Sequence, residues 1–93
     1  MQSTTKISTQ QASRIAKRLL NHWKHKFEVS ENDQAMQIFF PNALISLIPT
    51  SEFLQVNISS QSEDLDIKHI QQVVLDHLIR MGQEELSATW EIL

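Results

Sequence analysis

The stretch Met36–Ser59, MQIFFPNALISLIPTSEFLQVNIS, decides the fold class. Apolar and polar residues alternate along its first and last thirds, which is typical of β-strands with one polar face. Two turn-forming segments, Pro41-Asn42 and Pro49-Thr50-Ser51-Glu52, divide the stretch into three strands. Because short loops join these neighbouring strands, the stretch predicts an antiparallel meander.

A helix is predicted on each side of this meander. Upstream, Ser8-Thr9-Gln10-Gln11 resembles a capping box, and apolar residues then recur at helical spacing, which predicts a helix from about Thr9 to Lys26. Downstream, a second apolar face precedes Gly82, which suits the residue just after a helix end. The two apolar faces comprise Ala12, Ile15, Ala16, Leu19, Leu20 and Trp23, and Ile67, Ile70, Val74, Leu78 and Met81.

Short extended segments complete the pattern. A strand is predicted near Thr4–Ile7, another at Phe27–Ser30, and a closing strand at Leu86–Ile92, where apolar and polar residues alternate. The predicted fold is an α+β two-layer sandwich with two helices packed on one face of an antiparallel sheet, in the order β-α-β-β-β(-β)-α-β. No linker or repeat interrupts the chain, so residues 1–93 are predicted to form a single domain.

Phe39 departs from the alternation of its strand. It points away from the face that Met36, Ile38 and Phe40 share, and it lies beside Leu44 and Ile48. Two explanations remain open at this point. Either Phe39 marks an exposed dimer or partner surface, or the predicted register is wrong by one residue.

Composition excludes several classes of protein. The chain has 93 residues and no cysteine, which excludes a disulfide scaffold, a thiolate zinc site and a cysteine nucleophile, and favours a bacterial-type cytoplasm. No apolar run approaches 18 residues, so no membrane span is predicted. A net charge of −3 argues against a nucleic-acid partner.

The charges are unevenly distributed along the chain. Residues 1–27 contain six lysines and arginines and no acid, whereas the remainder contains eleven acids against Lys68 and Arg80. The basic segment either faces the acidic remainder and solvent, or forms a docking surface for an anion, an acidic partner or a membrane surface.

Histidines provide the candidate metal ligands. His22 and His25 are three residues apart on the first predicted helix, where their Cβ atoms would lie about 5–6 Å apart. His77 flanks the apolar face of the second helix and would approach His22 if the helices lie side by side. The alternative is that these histidines are structural or exposed to solvent. His69 lies on the polar side of its helix, and Trp23 and Trp90 are predicted to pack in the core.

No catalytic signature is present. The sequence lacks a nucleophile elbow, a glycine-rich phosphate loop and a zinc-protease helix motif. With one glycine in the chain, a dinucleotide site that needs close backbone approach is not expected. The protein is therefore predicted not to be an enzyme.

Two segments carry a resemblance to a known family. The run Leu19–Phe27, LLNHWKHKF, followed by Val29, and the later run Val73–Arg80, VVLDHLIR, followed by Glu84-Glu85-Leu86 and Trp90, resemble the bacterial domain-of-unknown-function family numbered 2218. The resemblance extends from about Thr5 to Trp90. The chain departs from the family at Leu20, where members often have cysteine, and at Pro41-Asn42-Ala43, where others are rich in glycine.

The resemblance implies a non-enzymatic cytoplasmic accessory in iron or siderophore metabolism, because members are associated with siderophore-interacting flavin reductases. It implies His22, His25 and His77 as ligands for iron, haem or zinc, with Lys24 and Lys26 as anion contacts. A siderophore-interacting reductase or another protein is the implied partner. The alternative is a pure protein-interaction domain or homodimer, with structural histidines and Phe39 on the contact surface.

Overall fold

The computed structural model describes residues 2–60 and 66–92. Its elements follow the predicted order, which is thereby confirmed. They are β1 (Gln2–Ser8), α1 (Ala12–Trp23), β2 (Glu28–Glu31), β3 (Met36–Phe40), β4 (Ala43–Pro49), β5 (Phe53–Ser60), α2 (Ile67–Gly82) and β6 (Glu91–Ile92). No helix in the described part of the chain is both long and apolar enough to cross a membrane.

The strands form one antiparallel sheet in the order β2-β3-β4-β5-β1-β6. Strands β2 to β5 are the predicted meander, in which each strand pairs with the next along the chain. Strand β1 pairs with β5 along its whole length, from Gln2 opposite Ser59 to Ser8 opposite Phe53. The first strand therefore lies inside the sheet, with only the two-residue β6 beyond it.

Both helices cover the same face of the sheet. Side chains from α1 and α2 form a single buried cluster with the inward residues of the strands. This arrangement confirms the predicted two-layer sandwich. The fully buried members of the cluster include Ile7, Ile15, Leu19, Ile38, Ile45, Leu47, Leu54, Val56, Val74 and Leu78.

Phe39 lies on the opposite, outer face of the sheet. Its side chain is 39% exposed, whereas Met36 and Ile38 on the same strand are buried. Phe39 pairs with Leu44 across the β3–β4 ladder. The register predicted from the sequence is therefore correct, and the explanation by a one-residue slip is wrong.

The first helix is shorter than predicted at both ends. Ser8 does not cap it, because Ser8 is the last residue of β1 and pairs with Phe53. The N-cap is Gln11, whose side chain makes no capping hydrogen bond. The predicted start near Thr9 fails because the Thr9 N–H donates to the Glu52 carbonyl and so holds the residue beside the sheet.

At the other end, α1 stops at Trp23 and not at Lys26. The Lys26 and Phe27 N–H groups both donate to the Trp23 carbonyl at 2.9 Å, which closes a final turn. The chain then enters β2 at Glu28. Phe27 thereby packs edge-on against Trp23, with ring centroids 6.1 Å apart.

The end of α2 also differs from the prediction. Gly82 is the last helical residue, and Gln83 adopts the left-handed conformation, with φ 53° and ψ 39°. Its N–H donates to the Ile79 carbonyl. The predicted closing strand is largely wrong, since residues 85–90 have no regular structure and only Glu91–Ile92 pair with β1.

Two buried hydroxyls on β1 lead to a stability prediction. Ser3 Oγ and Thr5 Oγ1 have no hydrogen-bond partner among the residues that the structure describes. Because an unpaired buried hydroxyl costs about 1–3 kcal/mol, Thr5→Val should raise the free energy of unfolding by about 1 kcal/mol in urea denaturation. Thr4→Val is the matched control, because the Thr4 hydroxyl donates to Asn57 Oδ1. A gain for Thr4→Val, or a loss for Thr5→Val, would contradict this expectation.

Candidate functional site

His77 is held in a defined orientation on α2. Its Nδ1 lies 2.8 Å from the Val73 carbonyl oxygen one turn earlier. Because a carbonyl can only accept, Nδ1 carries the hydrogen, and the neutral imidazole keeps its lone pair on Nε2. Metal-binding histidines commonly have this second interaction, which fixes the tautomer and the ring orientation.

His22 meets His77 across the two helices. The ring centroids lie 5.6 Å apart with a tilt of 46°. Two imidazoles bound to one ion at about 2.1 Å would have their centroids at most about 6.5 Å apart. The separation of the His22 and His77 rings is therefore short enough for them to share one ion. His22 is exposed and His77 is half-buried, so this pair is reached from the surface.

The third predicted ligand does not join this pair. His25 lies in the turn that follows α1, and no ring contact of His25 with His22 or His77 accompanies the one between those two rings in the described part of the chain. Within residues 2–60 and 66–92, no three histidine, aspartate or glutamate side chains are grouped closely enough to hold a metal ion. The described residues thus offer the two imidazoles of His22 and His77, and a bound ion would need further ligands from elsewhere. His69 is exposed, as predicted, and its N–H donates to the Asp66 side chain.

Trp23 packs against His77 on the buried side of the histidine pair. The indole is 4% exposed and its ring centroid lies 4.8 Å from that of His77 and 4.9 Å from that of Phe40. Phe40 in turn contacts Phe27. The prediction that Trp23 packs in the core is confirmed, and Trp90 is half-buried against the same core. The indole fixes the position of His77 on the side away from solvent.

The predicted anion contacts are not among the described residues that line the open cleft beside His22. Lys24 and Lys26 are exposed and flank His25 in the turn after α1. The cations near His22 are instead Arg18 and Arg80, which line an open cleft between the C-terminal halves of the helices. Sequence reasoning missed these arginines as site residues, because their proximity depends on how the two helices pack. The one available signal was that Arg18 precedes His22 by a helical turn and Arg80 follows His77 by three residues.

Similarity to known proteins agrees with this architecture. Residues 4–91 match the model of a family described as an uncharacterized protein conserved in bacteria, DUF2218. The chain belongs to this family. The match spans both helices and the whole β2–β5 meander, so the residues of the candidate site all lie within it.

A solved structure shares the fold. The NMR structure of PA4090 from Pseudomonas aeruginosa superposes with a TM-score of 0.79 at 35% sequence identity, covering 97% of this chain and 94% of that protein. No curated protein matches the chain. The fold and the family membership are thus established together.

Proposed function

We propose that this member of the family is a small non-enzymatic module of bacterial iron handling that binds an iron–siderophore complex in the cytoplasm. The observation that carries the proposal is the pairing of His22 with His77, whose Nδ1–H is engaged by Val73 so that Nε2 is left to bind. The His22–Phe27 and Val73–Arg80 segments resemble those of siderophore-associated proteins, and this resemblance indicates an iron–siderophore complex as the ligand.

The number of available ligands favours a complexed ion over a bare one. Iron prefers six ligands, whereas the pair offers two imidazole nitrogens. An ion that arrives with most of its coordination supplied by a chelator needs only one or two positions from the protein. The surrounding positive charge of Arg18 and Arg80 also favours an anionic complex over a free cation.

The test is a titration followed by ¹⁵N HSQC spectra. The probes are the ferric complex of a siderophore, its diamagnetic gallium analogue, haem and Zn²⁺. We expect saturable shifts at His22 and His77 with the siderophore complex, and about tenfold weaker binding in His22→Ala. His77→Phe should weaken binding similarly, because it keeps an aromatic ring against Trp23 but removes the nitrogens. His69→Ala is the matched control on α2 and should bind like the wild type.

A protein-interaction module is the second candidate. The outer face of the sheet lies opposite both helices, and it presents Phe39, 39% exposed, next to Leu44. A homodimer or a partner protein would bury this pair. If none of the four probes shifts the His22 and His77 signals, the iron proposal is wrong. Signals around Phe39 that shift with protein concentration would then support dimerisation.

A further inference from the structure

The ends of the two helices form a cleft in which the polar groups are mainly hydrogen-bond donors. We call it the basic cleft, and it is lined by Arg18, Asn21, His22, Arg80, Met81 and Gln83. Its volume is about 520 Å³ and it opens to solvent. Among the residues that the structure describes, this lining contains two guanidinium groups and an imidazole and no aspartate or glutamate.

Arg18 is positioned before any ligand arrives. Its Nη1 donates to the Met81 carbonyl oxygen at 2.9 Å, which ties α1 to the end of α2. A guanidinium has five N–H groups, so most of its donors remain available. Arg80 directly precedes Met81. The Arg18 guanidinium is therefore anchored at the end of α2 to which Arg80 belongs, and little side-chain freedom of Arg18 is lost on binding.

The positive charge of the basic cleft is larger than the partial negative charge at the C-terminus of α2 beside it. The carbonyls at a helix C-terminus amount to about half a negative charge. Two arginines supply two full positive charges at this place. In contrast, Lys17 on the neighbouring face of α1 is neutralised by Glu31, with Nζ and Oε1 2.6 Å apart. The basic cleft thus keeps a net positive charge that an anion can neutralise.

We propose that the basic cleft binds a compact oxyanion through Arg18 and Arg80, with His22 as a shared contact. Planar guanidinium groups pair two N–H donors with two oxygens of a carboxylate or phosphate, which lysine cannot do. This inference rests on the proposed function in one respect: the anionic arms of a chelator would occupy the cleft while its iron faces His22 and His77. The arginines, and not Lys24 and Lys26, are then the anion contacts of the site.

The test uses metal-free citrate and inorganic phosphate as probes, at low ionic strength, followed by ¹⁵N HSQC spectra and calorimetry. We expect saturable citrate binding, with amide shifts at Asn21, Met81 and Gln83. Arg80→Gln should weaken it about tenfold, as expected for loss of one charge-assisted pair. Arg14→Gln is the matched control, because Arg14 is an exposed arginine of α1 outside the cleft. Its citrate affinity should stay within about twofold of the wild type.

Arg18 needs a second variant because it also bonds Met81. Arg18→Gln should weaken citrate binding, and Arg18→Lys should restore only part of it, since an ammonium lacks the guanidinium fork. Equal losses in Arg80→Gln and Arg14→Gln would mean that only diffuse charge attracts the anion, and would overturn the proposal. So would the absence of saturable citrate and phosphate binding. Preference for phosphate over citrate would assign the cleft to phosphate esters.

The two proposals fail in different ways. If metal-free citrate binds in the cleft but the ferric and gallium complexes bind no more tightly, the iron function is wrong and the anion site stands. If the siderophore complex binds through His22 and His77 but Arg80→Gln leaves its affinity unchanged, the cleft inference is wrong and the iron function stands.

Discussion

Trp23→Ala should lower the free energy of unfolding by about 3–5 kcal/mol, the range for removal of a buried large aromatic side chain. The Trp23 indole is 4% exposed, and its ring contacts Phe27, Phe40 and His77. It therefore joins α1 to β3, to α2 and to the turn before β2. Since small domains are stable by only about 5–15 kcal/mol, the variant should lose a large share of the total free energy of unfolding.

Urea denaturation followed by far-ultraviolet circular dichroism measures this loss. Trp90→Ala is the matched control, because it deletes the same side chain at a half-buried position. We expect its cost to be about half that of Trp23→Ala or less, in proportion to the buried area. Equal losses for the two variants would mean that the contacts of Trp23 contribute nothing beyond its own size.

Gly82→Val should lower the free energy of unfolding by about 2–3 kcal/mol through overpacking. A Cβ at position 82 would lie 2.8 Å from Ile15 Cδ1 and 3.1 Å from Ile15 Cγ1. Ile15 is fully buried, so its side chain must repack within the core to make room for the added atoms. Helix propensity alone predicts the opposite sign, because valine is a better helix former than glycine by about 0.3 kcal/mol. The sign of the change in the free energy of unfolding therefore shows whether the contact with Ile15 or helix propensity dominates.

A double-mutant cycle identifies the contact. Ile15→Val removes Cδ1, the atom closest to the added Cβ, and should relieve part of the clash in the Gly82→Val variant. The two changes together should then cost less than the sum of their separate effects. Additive costs would show that Gly82 is needed for another reason than its approach to Ile15.

Period-two and period-3.6 patterns were sufficient to predict the sheet and both helices. Leu54, Val56 and Ile58 alternate with polar residues, and all three are buried in β5. The same alternation left two explanations open for Phe39, and its 39% exposure decides for the outer face. These patterns are strong because one face of each element is buried and the other is not, which leaves little choice of register.

Element ends were predicted less well, because contacts far along the chain decide them. Ser8 has the right chemistry for an N-cap, but pairing with Phe53 in the sheet takes precedence. The prediction of the last strand was largely wrong for a similar reason. Leu86, Ala88 and Trp90 alternate as a strand would, yet they pack on the core as an irregular segment, and only residues 91–92 pair with β1.

Part of the candidate site could be predicted from the sequence. The approach of His77 to His22 follows from placing two amphipathic helices side by side on one sheet face. The participation of Arg18 and Arg80 does not, because it depends on the relative position of the two helix ends, which local periodicity does not specify. The absence of a third ligand beside the pair, among the residues that the structure describes, likewise depends on side-chain positions that sequence patterns do not specify.

The position of β1 inside the sheet has a consequence for the order in which the chain folds. Gln2 pairs with Ser59 and Ser8 with Phe53, so β1 has no partner in the meander until β5 has been synthesised. The meander of β2 to β5 needs only contacts between strands that follow each other. Because contacts between residues distant along the chain form slowly, β1 should be the late-docking strand, added to a meander that has already paired.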